Sequence, residues 1–547
     1  MNTDSCLVAI LSVIAALPTA AQTNTCSGVK AWSACEIFFD LESGENTDGA
    51  ELRGEFRSPS HTTYLLNAYR DGDRRLAIRV APTEAGAWDY RLTSSLKRLD
   101  GQTGQFTATA SDAPGFVHPA NVHHFATDDK KPHLWMSTAI DNFCAIPRAE
   151  FNALVAQRAL EKFTHLRVTV DEPLNEAAER IRAINAGGIV ADVVFGRMPE
   201  DATERRRFIT DMAARFAAFN ITWAGVPAFE QLARPKAALK DAGQLLAKLD
   251  PYAHPRTSMA EGSSSGLVGD QWMNLFAYGT VDPNIGAVEH QVYQAPAIAA
   301  GIRNAHDLWT ATMNGQYPAS GSGAYMKAWY EFMSGNRYWE LEPYFDLDGG
   351  RALALDDVEY IVFIDKPGPV EVTVEDHGYD VEWINPTNGQ RTKAKEYKGK
   401  HFTGEPPDKT HDWVLHISRE GRMEGMLRSY KFDSRPVPVQ VIEAAPEKTP
   451  FDVATPAEGD LKRGVSARFA LKVTRQSRAT RSLLVEWTGE VVADGQGSRI
   501  VGSGVEGTLT IPPSLALRYP AVMTVRVNIL NANGKAYALD RVYRLVE

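Results

Sequence analysis

Several carboxylates in this chain stand directly after short apolar runs. Asp141 follows HLWMSTAI (133–140), Asp171 and Glu172 follow HLRVTV (165–170), Glu230 follows ITWAGV (221–226) by a few residues, and Glu261 ends RTSMAE (256–261). Two carboxylates facing one cleft can divide acid and base work, because unequal surroundings push their pKa values apart and leave one protonated and the other ionised. Held about 5–5.5 Å apart, such a pair opens an acetal through a covalent intermediate; at about 6.5–9.5 Å a water fits between them. Glu230 and Glu261 are the best pair for this work, since they end neighbouring runs. Plainer readings stand beside it. Glu230 can favour the dipole of a helix that it opens, and Glu261, before GSSSG, can cap a loop. Asp171 and Glu172 can form a solvated pair before Pro173, and Asp141 can bridge to Arg148.

Other residues near the same run ends suit a polyhydroxylated ligand. Trp135, Trp223 and Tyr278 offer flat faces on which a pyranose can lie, Glu289, His290 and Gln291 supply donors and acceptors, and Arg303 adds a cation. Large rings also fill cores, and His290 has a second reading as a satisfied buried histidine. Glu340 and Glu342, in WELEPYF, are expected to pair with arginines.

The elements that must position these residues alternate. Apolar runs at 133–140, 165–170, 189–196, 221–226, 256–261, 272–279, 296–302 and 315–321 read as strands, and segments such as AEFNALVAQRALEKF between them carry helical periodicity. Eight strands with interleaved helices predict a (β/α)8 TIM-type barrel over 119–345, with a doubly wound sheet as the alternative. Residues 23–118 alternate apolar and polar positions in short runs (ELRGEF, TTYLLNAY, WDYRLTSS) and predict an N-terminal β-sandwich. Two further β-sandwich domains are expected at 346–440 and 446–547, joined by the proline-rich RPVPVQVIEAAPEKTP.

Bulk properties exclude some classes. A net charge of −10 offers no field for nucleic acid. Residues 7–22, LVAILSVIAALPTAAQ, have the apolar length and small-residue end of a signal peptide cleaved near Ala20 or Ala21; no Lys or Arg precedes them, and a buried N-terminal helix is the alternative. Export to the periplasm or beyond is therefore expected, with no later membrane-spanning run. In an oxidising compartment Cys26 and Cys35 can form a bridge, leaving Cys144 as a buried thiol. Neither CxxC nor HExxH occurs, so no structural metal or other cofactor is expected.

Longer phrases carry a resemblance. RVAPTEAGAWDYRL resembles the N-terminal β-sandwich found on many bacterial glycoside-hydrolase-like proteins, and GFVHPANVHHFA their link into a barrel. KLDPYAHPRTSMA, GAVEHQVY, LWTATMNGQYP, YWELEPYFDLDGGRALAL and HFTGEPPDKTHDWVLHISREG resemble the bacterial apiosidase-like glycoside hydrolases, whose barrel is followed by a collagen-binding-type β-domain; the likeness spans about 28–435. The resemblance implies catalytic acids at the ends of the fourth and seventh strands, where this chain has Ala228 and Gly301. Three functions follow as expectations: a hydrolase of a polysaccharide or its side chains with displaced carboxylates, a carbohydrate-binding protein without turnover, and a structural surface protein.

Overall fold

The computed structural model describes residues 23–45, 49–171, 173–232, 235–419, 440–441, 449–454, 461–493, 496–513, 515 and 517–545. Residues 1–22, with the expected signal segment, Glu172 and most of the expected proline-rich linker lie outside the described residues. The chain divides into two compact units, one ending at Ser111 and the other starting at Asp112.

The first unit holds two four-stranded antiparallel sheets. Strand Gly86–Ser94 shows why: its alternate residues Trp88, Tyr90 and Leu92 are all buried while those between face outward. Trp88 packs against Phe106 at 6.1 Å between ring centroids and Tyr90 against Phe56 at 5.3 Å. Cys26 and Cys35 are bridged, with their Cα atoms 5.0 Å apart. Cys144, in the second unit, remains a thiol and is half-buried.

In the second unit, strands Ser137–Ile140, His165–Val170, Val190–Phe195 and Ile221–Gly225 run parallel in that order. Strands Phe276–Tyr278, Ala297–Ala299 and Gln316–Pro318 form a second parallel set. The expected strand over 256–261 is replaced by one parallel bridge between Trp223 and Arg256. Pro255 accepts from the Trp223 N–H but has no N–H to return, and Gly225 at φ 63° lets the two backbones approach where a Cβ would lie 2.7 Å from the Ser258 Cα. The Asn274 N–H on Arg256 O, 3.1 Å, links this bridge toward the second set.

Among the described residues seven helices accompany these strands: α1 (Arg148–Leu160), α2 (Leu174–Ala186), α3 (Ala202–Phe216), α4 (Pro235–Leu249), α5 (Ile285–Val292), α6 (Ala305–Met313) and α7 (Ala324–Met333). Asp201 caps α3 by accepting from the Thr203 and Glu204 N–H groups at 2.9 and 2.8 Å, and Asn304 caps α6 from Asp307. This is a (β/α)-type barrel region, continued in sequence by sheet-rich segments.

Val190, Val194, Ala224, Ala277 and Ala299, from four strands, pack in one buried cluster with Trp135 and Met259. Side chains converging from so many strands define the barrel interior. The next segments are β only: one eight-stranded sheet with its own core around Tyr360, Trp383 and Trp413, then two sheets enclosing Trp487 and Phe469. Among the described residues no helix is long and apolar enough to cross a membrane.

Candidate functional site at the barrel mouth

The C-terminal strand ends bring Asp141, Asp171, Glu230, Glu261 and Arg303 to one end of the barrel. Glu230 sits in the single helical turn Phe229–Gln231, entered through Ala228 at φ 46°, a left-handed conformation that an alanine rarely adopts. Its carboxylate accepts from the Glu261 N–H at 3.0 and 3.1 Å and from the Gly262 N–H at 3.3 Å. Burial pushes the Glu230 carboxyl above its usual range; these backbone bonds oppose the shift and the Glu261 charge adds to it. The Glu261 side chain is exposed and accepts from the Gln231 amide. The two glutamates share one corner of the mouth, with Glu230 tying the end of the fourth strand to the backbone of 261 and 262.

Gly301, after strand Ala297–Ala299, is walled in. A Cβ there would stand 2.7 Å from Gly279 O and 3.1 Å from both Thr280 Cα and Val281 N, all backbone atoms. Asp141 and Asp171 are exposed beyond the first and second strands, and Arg148 pairs with Glu176 at 3.2 Å, not with Asp141. Asp171 borders a cavity of about 220 Å³ with Arg197, Glu204 and Phe208. Arg303 is 80% exposed and held at 2.9 Å by Asp307.

Beneath the mouth the lumen is polar, a feature the sequence reading missed. His165, Arg167 and Thr169 share one face of their strand. Asp192 lies between the inward-facing Val190 and Val194, and it accepts from Ser137 Oγ at 3.0 Å and bonds His165 Nδ1 at 2.8 Å. Arg167 Nη2 stands 3.9 Å from Asp192, and its Nε and Nη2 are buried without a hydrogen bond. Burial lowers the Arg167 pKa, with Asp192 opposing. A buried cationic fork with unused donors suits a polar ligand reaching down from the mouth. Three polar residues, His165, Arg167 and Thr169, at alternate positions of a barrel strand were the available signal.

The remaining expected ligand contacts lie elsewhere, all buried except the half-buried Gln291. Trp135 stacks on His165 at 3.5 Å between centroids and fills the barrel. Trp223 faces the helix layer, donating to Asp250 at 2.9 Å, because its neighbours Thr222 and Ala224 take the alternate face. Tyr278 is buried, and burial with the Glu289 charge raises its pKa far above 10. Glu289, on α5, accepts from Ser263 at 2.5 Å and, with Glu486, binds Arg499 at 3.1 and 3.2 Å. Burial and the Glu289 charge hold Glu486 well above the carboxylate range. Arg499 also lines a cavity of about 510 Å³ with Gln291, Tyr293, Arg526, Tyr537 and Asp540.

His290, also on α5, joins His123, His124 and Glu342. Glu342 therefore pairs with histidines and not with an arginine, whereas Glu340 does pair with Arg337. Burial pushes His290 down to about 3 and holds His124 below the ordinary imidazole value. The HH dyad at 123–124 was the sequence signal for this group.

Comparison with known proteins bears on the fold. Residues 28–95 match the family model for a domain of unknown function, DUF5060. No curated protein matches the chain. A candidate glycoside hydrolase from Bacteroides vulgatus is similar at a TM-score of 0.61 and 16% identity, over 72% of this chain and all of that one. The likeness is one of fold. A glycoside hydrolase family 5 protein from the same species is similar over 56% of this chain and 94% of its own, at 13% identity and a TM-score of 0.47, too low to argue from. The chain thus shares its fold with the first of these structures.

Proposed function

We propose that this chain is an exported protein that recognises carbohydrate at the mouth of a glycoside-hydrolase-type barrel and does not cleave it through the usual fourth- and seventh-strand carboxylates. The observation that supports this most directly is at Gly301. The backbone of 279–281 occupies the space that any side chain at that strand end would need, so an anion cannot be seated there without moving the chain. At the fourth strand Ala228 has only a methyl, and the nearest carboxylate, Glu230, spends its lone pairs on the N–H groups of 261 and 262. Recognition then falls to Asp141, Asp171 and Glu261, which are exposed at the mouth, and to the Arg167 donors below. The phrases shared with apiosidase-like hydrolases support the same ancestry.

One observation favours a second reading, hydrolysis by Glu230 and Glu261. The Glu230 carboxyl is raised by burial and by its neighbour's charge, which is how a proton donor is prepared. The two readings separate in one experiment, in which residues 23–547 are tested against a polysaccharide and oligosaccharide panel for both binding and reducing-end release. Binding without release is expected. Release that Glu230→Gln abolishes would replace the first reading with the second.

A further inference from the structure

We propose that His123, His124, His290 and Glu342 form a binding site for a divalent ion of the zinc class, at the end of the barrel opposite the mouth. The residues come from three elements. His123 and His124 follow the turn of the hairpin formed by Val117–Ala120 and His124–Thr127, in which Asn121 and Val122 both have left-handed backbones, at φ 46° and 64°. Val122 is β-branched, so that turn is strained, and it sets two successive imidazoles toward α5. Asn121 donates its side-chain amide to Trp339 O and so anchors the turn to the segment that carries Glu342. His290 is pressed into place by Gly315, where a Cβ would lie 2.5 Å from its Nε2.

The spacing of His123, His290 and Glu342 fits three corners of a tetrahedral ion. Zinc takes imidazole nitrogens at about 2.0–2.1 Å, so two ligand atoms on a tetrahedron around it stand about 3.3 Å apart. His123 Nδ1 is 3.2 Å from Glu342 Oε1, His290 Nε2 is 3.2 Å from Glu342 Oε2, and His124 Nε2 is 3.8 Å from Glu342 Oε1. The donor atoms of His123, His290 and Glu342 all lie within 4.8 Å of one another, and His124 Nε2, outside that set, borders it at Glu342 Oε1. Three imidazoles and one carboxylate are a zinc-type donor set.

Two further observations point to a ligand. His124 Nε2 is buried and makes no hydrogen bond, while its Nδ1 is 2.7 Å from the Tyr317 hydroxyl. A ring fixed at one nitrogen with the other aimed bare into a polar cluster is the arrangement of a metal-bound histidine. His123 repeats the pattern. Its Nε2 stands 3.1 Å from Tyr293 O, a carbonyl that can only accept, so that nitrogen carries the proton. In the neutral ring the lone pair of Nδ1 then faces the Glu342 carboxylate at 3.2 Å. Two lone pairs at that distance repel unless a proton or a cation stands between them. The sequence carried no local metal motif because the ligands are separated along the chain at 123–124, 290 and 342.

The test uses the untagged chain of residues 23–547, stripped with a chelator and dialysed, then titrated with Zn²⁺ alone in competition with a chromophoric chelator and separately with Co²⁺. One equivalent of Zn²⁺ should bind tighter than about 0.1 µM, and the Co²⁺ form should show the visible absorption of a four-coordinate site. His123→Gln and Glu342→Gln, the less buried ligands, should each weaken Zn²⁺ at least 100-fold while leaving the far-ultraviolet circular dichroism unchanged. No binding at 100-fold excess Zn²⁺ would overturn the proposal and leave a proton between His123 and Glu342. Tight binding that both variants retain would equally overturn it.

Discussion

The functional reading rests on crowding at one glycine, and that crowding can be measured. Gly301→Ala places a methyl 2.7 Å from Gly279 O and 3.1 Å from Thr280 Cα and Val281 N. Because these are backbone atoms, rotamer changes cannot relieve the contact and the 279–281 loop must shift. Overpacking of this kind costs about 1–3 kcal/mol. Two neighbouring glycines calibrate the figure. Gly279→Ala would meet Ala260 O at 2.0 Å and Glu261 O at 2.5 Å, a tighter fit that should cost more than the change at 301. Gly269→Ala meets nothing within 4 Å and has no left-handed backbone, so it should change stability by less than about 1 kcal/mol in either direction. Urea unfolding of the three variants, followed by tryptophan fluorescence with the slope checked for constancy, should rank them 279, 301, 269 from most to least destabilised. If Gly301→Ala proves as harmless as Gly269→Ala, there is room for a side chain at the seventh strand end and the argument against a carboxylate there fails.

Two further outcomes follow from buried charge. His416 bonds Glu359 at 2.8 Å and Glu382 at 3.1 Å; burial disfavours its charge, but these carboxylates outweigh burial and raise its pKa to about 9. Its folded pKa lies above the unfolded value of about 6.5, so the stabilisation is complete below pH 6.5 and is lost as pH rises through 9, by about 3 kcal/mol at most. Thermal unfolding across that window should show the decline, and His416→Gln should flatten it; an unchanged slope in the variant would refute the assignment. Arg499→Met leaves Glu289 and Glu486 buried without their shared cation, and should destabilise the chain by about 3–5 kcal/mol. Adding Glu289→Gln should recover part of that loss in the same urea titration, and no recovery would mean that Arg499 acts through packing alone.

The alternation of strand and helix made the barrel region legible, because mostly apolar runs such as VADVVF, broken only by Asp192, are buried on both faces of a parallel sheet. The fifth strand was overread. RTSMAE has the apolar pattern of a strand, but Pro255 before it removes a ladder donor, and only one bridge forms. Carboxylates at strand ends were legible for a related reason: an acid just after a buried run has to lie at an end. Side-chain direction was harder to read. Trp223 and Ala224 differ by one residue yet point to opposite layers, so a ring read as a sugar platform became an anchor for Asp250. Partners far apart in sequence were invisible, since nothing local links Glu289 to Arg499 or His123 to Glu342.

The central claim, that saccharide is held at the mouth, is tested most directly by carboxyl footprinting. The chain is labelled with a carbodiimide and an amine, with and without a saturating oligosaccharide found by the panel, and the modified residues are read by mass spectrometry. The account predicts that Asp141, Asp171 and Glu261 lose reactivity when the saccharide is bound, while Asp540, beside the 510 Å³ cavity, keeps its own. Protection at Asp540 with no change at the three mouth carboxylates would contradict it.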